Sequence, residues 1–591
     1  MKYSSGNYEA FSKVPKNEKH ENTKAYIVGS GIASLSAAVF LIRDAHLAGK
    51  NIHIFEKGKN PGGACGGFKI EDKGYVLEGG RNLDEHFEIL WDMLKTIPSV
   101  DDDSISVLDE TYIANNKDPY ECNVRVTGDR AEELITDYKF NLSDGARGEI
   151  IRLFLKPDEE LFDKKVSEVL SEDVLSSDFW LYWSTSFIFR EDMSALEMKR
   201  RLQRFLYDVD RITDQKAIKA FKRNPYEAMI VPIIKYLNEH DVNIKYGNAV
   251  VDVFFDSESD DEIVAKSITI KTDEEETVID IDEGDILLIT NGSSTENLSI
   301  GGQHEKAEIV TELKPDGAWE LWRKIAVQDN SFGNPDKLCN QVDSSKLVSA
   351  TITTKGVSIL PYIKSIVRRD PLEGSCVSGG IVSIKDSPWK LSWSFGRQPQ
   401  FEDQPRDVLV GWMYGLEPEN EGTYVKKHMG DCTGKEMCME WLYHIGVPEE
   451  NIPAIAEEGA NTIPVIIPFM TAFYLPRAEG DKPKVIPDKS KNFGFIGQFA
   501  RTVRDATLTV EYSVRTAMEA VYSLLDIKRG IPEVWDSTYD LRDILSATTR
   551  LFDNEKLIDS SAKRQKRIAR EILKLSEGTD AYTLLEETGI L

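Results

Sequence analysis

Two glycines, a serine and a glutamate stand at regular positions within residues 24–56. Gly29 and Gly31 follow a short β-rich run, Ser34 fills the third place of a GxGxx(G) pattern, and Glu56 ends the next β-rich run. The first glycine permits a tight turn, and the second lets the backbone approach a pyrophosphate at the N-terminus of the following helix. The order of strand, turn, helix, strand and acid predicts a dinucleotide-binding unit, with Glu56 placed to bind ribose hydroxyls.

A second glycine-rich stretch, PGGACGG at residues 61–67, follows Glu56 closely. Such a stretch often follows the acidic residue in FAD-binding enzymes, so we predict FAD rather than NAD. Strand-and-glycine patterns at residues 285–292 and 492–500, followed by a helical pattern at 509–525, predict that the chain returns to this domain. The candidate cofactor contacts are Gly29, Gly31, Ile32, Ala33, Ser34, Glu56, Lys57, Gly62, Gly63, Gly80, Arg81, Asn82, Asn291, Gly292, Gly497, Ala500 and Thr509.

Residues 74–82 read GYVLEGGRN, a β-rich run that ends in a Gly-Gly turn. In flavoproteins a turn of this kind often faces the flavin ring, which makes Arg81 and Asn82 candidates for the flavin edge. The alternative is an ordinary β-turn with an exposed arginine.

The composition excludes several classes of protein. The 72 Lys and Arg against 100 Asp and Glu give a net charge of −28 over 591 residues, which argues against general nucleic-acid binding. The six cysteines form no CxxC pair and the eight histidines form no HExxH motif, so we predict no metal site and a reducing, cytoplasmic location. No apolar run approaches the ~18 residues that span a bilayer.

The order of elements predicts an α/β protein with a discontinuous Rossmann-like FAD-binding domain, a mixed α+β substrate domain and a helical C-terminal cap. The expected boundaries are 1–22 for a polar N-terminal arm, 23–150, 222–300 and 440–546 for the FAD-binding domain, 151–221 and 301–439 for the substrate domain or lid, and 547–591 for the C-terminal segment.

Two basic stretches stand out in this acidic chain. Lys199, Arg200, Arg201 and Arg204 lie in an aromatic-rich helical region and are most simply a solvated helix face, with anion capture at a pocket mouth as the alternative. Residues 563–575, KRQKRIAREILKL, form a basic amphipathic pattern typical of a helix on anionic lipid, or else a packed C-terminal helix with a solvated face.

Several longer stretches carry a family resemblance. They are SSGNYEAF at 4–11, YIVGSGIASLSAAVFLIRDA at 26–45, GGR at 79–81, RQPQF at 397–401, DCTGKE at 431–436, EWLYHIGVPEE at 440–450, ANTIPVIIPF at 460–469 and VEYSVRTAMEAVYSLL at 510–525. The chain thereby resembles the oleate hydratase family, also called myosin-cross-reactive antigens, over nearly its whole length. The resemblance implies an FAD protein that acts on long-chain unsaturated fatty acids, forms a homodimer and contacts the inner face of the cell membrane through its C-terminus.

The chain departs from that family at the positions that carry its acid and base groups. The family pattern has a glutamate after GGR, a tyrosine after the SAxE stretch, a threonine and an asparagine before RQPHF, a histidine within it, and a glutamine before YES. The residues here are Asn82, Arg201, Ser394, Gly396, Gln400 and Pro225 respectively. The candidate catalytic residues are Arg81, Asn82, Arg201, Tyr75, Ser394 and Gln400.

These departures favour isomerisation of linoleate to a conjugated diene. Hydration of a double bond needs a proton donor and an activated water, whereas an amide does not titrate and a guanidinium stays protonated. The second hypothesis is a hydratase that uses other groups, such as reduced flavin with Ser394 or Tyr75. The third is a catalytically silent flavin- and lipid-binding protein.

Overall fold

The computed structural model describes residues 20, 22–136, 138–259, 262–373, 376–503, 505–535, 540–553 and 582–583. Within those ranges the strands are β1 (Ala25–Val28), β2 (Ile52–Glu56), β3 (Gly67–Ile70), β4 (Gly74–Leu77), β5 (Val126–Thr127), β6 (Leu134–Ile135), β7 (Asn243–Tyr246), β8 (Ala249–Ser259), β9 (Glu262–Lys271), β10 (Glu276–Asp280), β11 (Ile286–Thr290), β12 (Ser299–Ile300), β13 (Leu347–Thr354), β14 (Val382–Ile384), β15 (Leu391–Ser394), β16 (Val410–Gly415), β17 (Ala460–Ile467) and β18 (Phe493–Ile496).

The α-helices of the same ranges follow the strands in chain order. They are α1 (Ile32–Arg43), α2 (Glu88–Leu94), α3 (Val107–Lys117), α4 (Asp144–Leu155), α5 (Glu172–Leu175), α6 (Asp178–Phe187), α7 (Ala195–Arg204), α8 (Val231–Glu239), α9 (Ala318–Ala326), α10 (Asp336–Cys339), α11 (Val342–Ser345), α12 (Leu360–Val367), α13 (Gly434–His444), α14 (Ile452–Glu458), α15 (Val510–Leu524) and α16 (Leu541–Leu551).

A parallel five-stranded sheet is built from widely separated parts of the chain. Its strand order is β18, β11, β1, β2 and β7, with every neighbouring pair parallel. The central strands β1 and β11 are apolar and buried, apart from the half-buried Thr290 that ends β11, as expected where helices cover both faces. Helix α1 packs against α15, which comes nearly five hundred residues later in the chain. The predicted α/β fold class, with a discontinuous Rossmann-like domain, is confirmed.

A larger mixed sheet forms the second half of the molecule. Its order is β12, β17, β13, β16, β15, β14, β5 and β6, and β13 pairs antiparallel with β17 over its full length. Strands β5, β6, β12 and β17 therefore lie outside the parallel sheet, although the sequence boundaries 23–150, 222–300 and 440–546 assigned them to the FAD-binding domain. Strand pairing decides sheet membership, and the pairing partner of β17 lies more than a hundred residues away.

Helices α4 to α7 form the region predicted as substrate domain or lid at residues 151–221. Their aromatic side chains pack into one cluster that includes Phe179, Tyr182 and Trp183. The basic residues of α7 contradict the prediction of a solvated face, because Lys199, Arg201 and Arg204 are all buried.

The two chain ends fall mostly outside the described residues. This applies to the N-terminal arm, apart from residues 20 and 22, and to the basic pattern at 563–575. Across the part of the chain that is described, no helix combines the length and apolar character needed to cross a membrane.

Candidate functional site

The turn between β1 and α1 leaves the N-terminus of α1 open. Gly29 has a φ of +85°, and its N–H donates to the carbonyl oxygen of Phe55 at 2.8 Å. A Cβ placed on Gly31, which precedes the first turn of α1, would meet no atom within 4 Å. Helix α1 then begins with the buried residues Ile32 and Ala33 and has no acidic residue in its first turn. Its free N–H groups and positive dipole end can therefore receive a phosphate.

Glu56 is held beside this turn at the end of β2. Its Oε2 accepts hydrogen bonds from the backbone N–H of Ser30 at 2.8 Å and from the Ser30 hydroxyl at 2.7 Å. Its Oε1 accepts from the N–H of Gly58 at 2.6 Å. The carboxylate thus has the position that the sequence predicted for a ribose-binding acid. Lys57 instead forms an ion pair with Asp316 at 2.7 Å, so its predicted cofactor contact gains no support.

The second glycine-rich stretch packs directly on the first. Gly62 has a φ of +108° and donates its N–H to the carbonyl oxygen of Ser30 at 2.8 Å. A Cβ on Gly63 would lie 3.2 Å from the Cα of Gly31. Arg81 donates from Nη2 to the carbonyl oxygen of Ala64, which ties the Gly-Gly-Arg turn to this stretch.

The remaining predicted cofactor residues come from the ends of β11 and β18 and from the start of α15. Asn291 donates to the carbonyl oxygen of Phe499 at 3.1 Å, and Gly292 has a φ of +66°. Gly497 has a φ of +94°, and Thr509 caps α15 by accepting from the N–H of Tyr512 at 3.1 Å. The other two side chains are buried close by: Ser34 forms a hydrogen bond of 2.9 Å with Thr290, and Ala500 is fully enclosed. In open α/β sheets, ligands bind at this carboxyl edge.

A cavity of about 190 Å³ lies beside that edge. It brings together six of the predicted residues: Gly80, Arg81, Asn82, Arg201, Ser394 and Thr509. Most of its other lining is apolar or aromatic, including Phe87, Trp183, Phe187, Ile188, Phe205, Ile212, Ile381, Trp412 and Tyr414. A long hydrocarbon chain suits such a lining.

A smaller cavity of about 90 Å³ shares Gly80, Arg81, Asn82, Ile381, Ser394 and Trp412 with the first. Its own lining contains Gln400, whose Nε2 donates to the carbonyl oxygen of Arg397 at 2.5 Å. It also contains Tyr120, whose hydroxyl lies 2.7 Å from the place of a Cβ on Gly396. The glycine at 396 therefore makes room for a tyrosine hydroxyl that the sequence did not single out.

Tyr75 lines neither cavity, so its predicted catalytic role is not supported. Its ring stacks on Phe401 with centroids 4.7 Å apart, and its hydroxyl donates to the carbonyl oxygen of Asp403 at 3.1 Å. The side chain belongs to the packing between the two short strands β3 and β4 and the larger sheet.

Asp84 is a carboxylate on the larger cavity that the sequence analysis missed. It is buried, and its Oδ1 accepts from the backbone N–H of His86 at 2.8 Å and from the hydroxyl of Tyr207. It follows the missing family glutamate by two positions. That short separation along the chain was the available signal.

Glu78 is a second missed acid, immediately before the Gly-Gly turn. It is 7% exposed, its carboxyl fills the place that a Cβ on Gly66 would take, and its Oε2 has no hydrogen-bond partner in the described structure. Burial raises the pKa of Glu78 to about 7, with Arg81 acting in the opposite direction. No sequence pattern indicated this burial, because it depends on the pairing of β3 with β4.

Glu78→Gln should remove part of the pH dependence of folding stability. The folded protein keeps the Glu78 proton up to about pH 7, whereas the unfolded chain releases it near 4.5. Unfolding therefore releases a proton between these values, and the wild type loses stability as pH rises through this window, by up to about 3 kcal/mol. Denaturation of both proteins at pH 5 and pH 8 measures the difference.

The exposed residue Glu71, on the turn between β3 and β4, provides the control. Glu71→Gln should keep the wild-type slope. Equal slopes for wild type and Glu78→Gln would contradict the assignment of this proton to Glu78.

Arg201 enters the larger cavity from α7. It is fully buried, and its Nη2 donates to the carbonyl oxygen of Thr507. Its guanidinium lies 4.9 Å from the ring centroids of both Phe187 and Tyr474. No group of three or more His, Cys, Asp and Glu side chains suited to a metal occurs among the described residues.

Comparison with known proteins gives a consistent set of relatives. A family model described as the MCRA family matches residues 22–522. The chain is 42% identical over 562 residues to an oleate hydratase of Streptococcus pyogenes serotype M49, covering 95% of each chain. It is 29% identical over 574 residues to a linoleate hydratase of Lactiplantibacillus plantarum, covering 90% of this chain and 99% of that one. A solved cyclohexylamine oxidase from Brevibacterium oxydans is 12% identical with a TM-score of 0.49, covering 85% of this chain and 99% of its own.

Proposed function

Because this chain belongs to the MCRA family, we propose that it is an FAD-dependent enzyme acting on a carbon–carbon double bond of a long-chain unsaturated fatty acid. The observation that carries the proposal is the apolar cavity that meets the dinucleotide-type edge of the sheet at Gly80, Arg81 and Asn82. The curated relatives, named as oleate and linoleate hydratases, support the same substrate class.

The residues present fit FAD. Gly29, Gly31 and the open N-terminus of α1 would hold the pyrophosphate, and Glu56 would bind a ribose. The Gly80–Asn82 turn would border the ring. When bound, FAD can accept and return a hydride.

The first candidate reaction is isomerisation of linoleate to a conjugated linoleate without net redox change. At the turn that borders the cavity, Asn82 takes the position of the family's glutamate, and its side-chain amide has no carboxylate to act as a base. Water is therefore not activated at the position where the family places its glutamate. An aromatic, largely dry wall would hold the diene in one orientation.

The second candidate reaction is hydration to a hydroxy fatty acid. It is favoured by Asp84, a carboxylate on the same cavity that could take a proton from water. The names of the two curated relatives favour it as well.

Product analysis separates these reactions. The purified protein is incubated with linoleate or oleate, with and without a flavin reductant, in light and in heavy water. We expect an ultraviolet-absorbing conjugated diene from linoleate at unchanged mass. A product heavier by one water would instead establish hydration, and the absence of any product would leave a flavin- and lipid-binding protein.

The substitution Asp84→Asn tests whether this carboxylate activates water for hydration. If isomerisation is correct, formation of the conjugated diene should change little, because no step needs this carboxylate. A fall of roughly 100-fold or more in formation of a hydroxy acid would assign water activation to Asp84 and favour hydration. The matched control is Glu85→Gln, an exposed acid next to it in the chain.

The proposals for cellular location and oligomeric state are based on the basic C-terminal segment and on the family resemblance. We propose a cytoplasmic homodimer that contacts the inner face of the cell membrane through the basic segment at 563–575. That segment lies outside the described residues. Co-sedimentation of the full chain and of a chain ending at residue 553 with anionic vesicles tests this contact.

A further inference from the structure

Arg201 is a buried cation whose donors are largely unused. Its side chain has no exposed surface, and of its three guanidinium nitrogens Nε and Nη1 have no hydrogen-bond partner in the described part of the chain. Nη2 has only the carbonyl oxygen of Thr507. The two aromatic rings beside it, Phe187 and Tyr474, attract the cation but cannot accept its in-plane hydrogen bonds.

The other basic residues of α7, and Arg477, differ from Arg201 because each contacts a carboxylate. Lys199 and Arg200 contact Asp158, Arg204 contacts Asp505, and Arg477 contacts Glu197. Glu197 lies one helical turn before Arg201, but its second oxygen accepts from the Thr507 hydroxyl at 2.8 Å. Among the described residues, no ion pair joins Arg201 to an acid.

A buried guanidinium without an anion is costly, since its charge has lost water and gained no counter-charge. Arg201 also lines the larger cavity, whose other walls are mainly apolar. The missing counter-charge is therefore most simply a group brought in by the ligand of that cavity.

We propose that Arg201 receives the carboxylate of the fatty acid. Guanidinium binds carboxylate through short charge-assisted hydrogen bonds, and the unpartnered Nε and Nη1 supply the donors. The acid then enters head first, and its hydrocarbon chain extends along the aromatic wall towards Arg81 and Asn82. Arg201 sets substrate orientation in this arrangement and transfers no proton. The proposal rests on the fatty-acid substrate proposed above.

A non-reacting ligand tests the proposal without any assumption about the reaction. Stearate has the carboxylate but no double bond, and octadecanol has the same chain with a neutral head. Their affinities are measured by calorimetry on the flavin-loaded wild type and on Arg201→Met. We expect stearate to bind the wild type roughly 10- to 100-fold more tightly than octadecanol, and Arg201→Met to remove this preference while its octadecanol affinity persists.

Arg211→Gln is the matched control, because this exposed arginine lines the same cavity. It should keep the preference for stearate. Loss of the preference in Arg211→Gln with retention in Arg201→Met would place the carboxylate at Arg211 and overturn the proposal. Equal wild-type affinities for the two ligands would overturn it without using any variant, while leaving the fatty-acid substrate standing. If neither ligand binds the wild type, the proposed function fails as well.

Discussion

Gly31→Glu should yield a folded protein that no longer retains flavin. The position faces open space in front of α1, so the backbone and its neighbours need not move to admit a side chain. A carboxylate there would occupy the space proposed for the pyrophosphate and would repel it. Because juxtaposed like charges cost several kcal/mol, we expect FAD affinity to fall by roughly 100-fold or more. Visible flavin absorbance after purification and titration with added FAD measure the loss.

The control for this substitution is Gly480→Glu. Gly480 is exposed, has no neighbour within 4 Å of a Cβ and lies in a surface turn, so the same added charge should leave flavin binding unchanged. Retention of full flavin by Gly31→Glu would contradict the placement of the pyrophosphate at α1. Circular dichroism should give the same folded spectrum for both variants.

The cofactor half of the fold was predictable because its signals are local. The glycine turn, the helix after it and the acid at the end of β2 all lie within a short stretch. The spacing of these residue types along the chain is therefore enough to predict the unit. The central position of β1 between β2 and β11 agrees with its continuous apolar run. The membership of β17 in the larger sheet was not predictable, because it depends on pairing with the distant β13.

The candidate site was predictable where the chain positions a side chain by itself. Arg81 and Asn82 follow a turn that ends a strand, and they do reach the cavity. Arg204 was misassigned to solvent because its ion-pair partner is remote: Asp505 lies about three hundred residues beyond it. A cluster of basic residues in a sequence predicts a solvent-exposed face. Only the tertiary structure shows the acidic partners that permit such residues to be buried.

Glu197→Ala should destabilise the protein by about 3–5 kcal/mol, the usual cost of removing one partner of a buried ion pair. Glu197 is 1% exposed, and its Oε1 accepts from Nη2 of Arg477. Burial alone would raise the pKa of Glu197, but Arg477 and neighbouring cations outweigh it and lower the pKa to about 2. The variant leaves Arg477 buried without a counter-charge and releases the hydroxyl of Thr507. Chemical denaturation near neutral pH measures the change in unfolding free energy.

The Glu197–Arg477 ion pair also predicts how folding stability changes at acidic pH. The pKa of Glu197 is depressed on folding from its ordinary value of 4.5, so its contribution to stability is fully present above pH 4.5 and is lost as pH falls towards 2. The deficit of Glu197→Ala relative to wild type should therefore shrink over that window. Glu191→Ala, an exposed acid just before α7, should stay within about 0.5 kcal/mol of wild type.

A double substitution distinguishes the contribution of the Glu197–Arg477 ion pair to stability from the contribution of side-chain packing. Glu197→Met combined with Arg477→Met replaces both buried charges with apolar side chains, and it should recover much of the stability lost in Glu197→Ala. Thr507 joins this pair to the cavity, because its hydroxyl donates to Glu197 while its carbonyl accepts from Arg201. If the double variant recovers stability but loses the preference for stearate over octadecanol, the ion pair orients Arg201 through Thr507. If neither property changes from Glu197→Ala, the cost at residue 197 comes from lost packing and not from an unpaired charge.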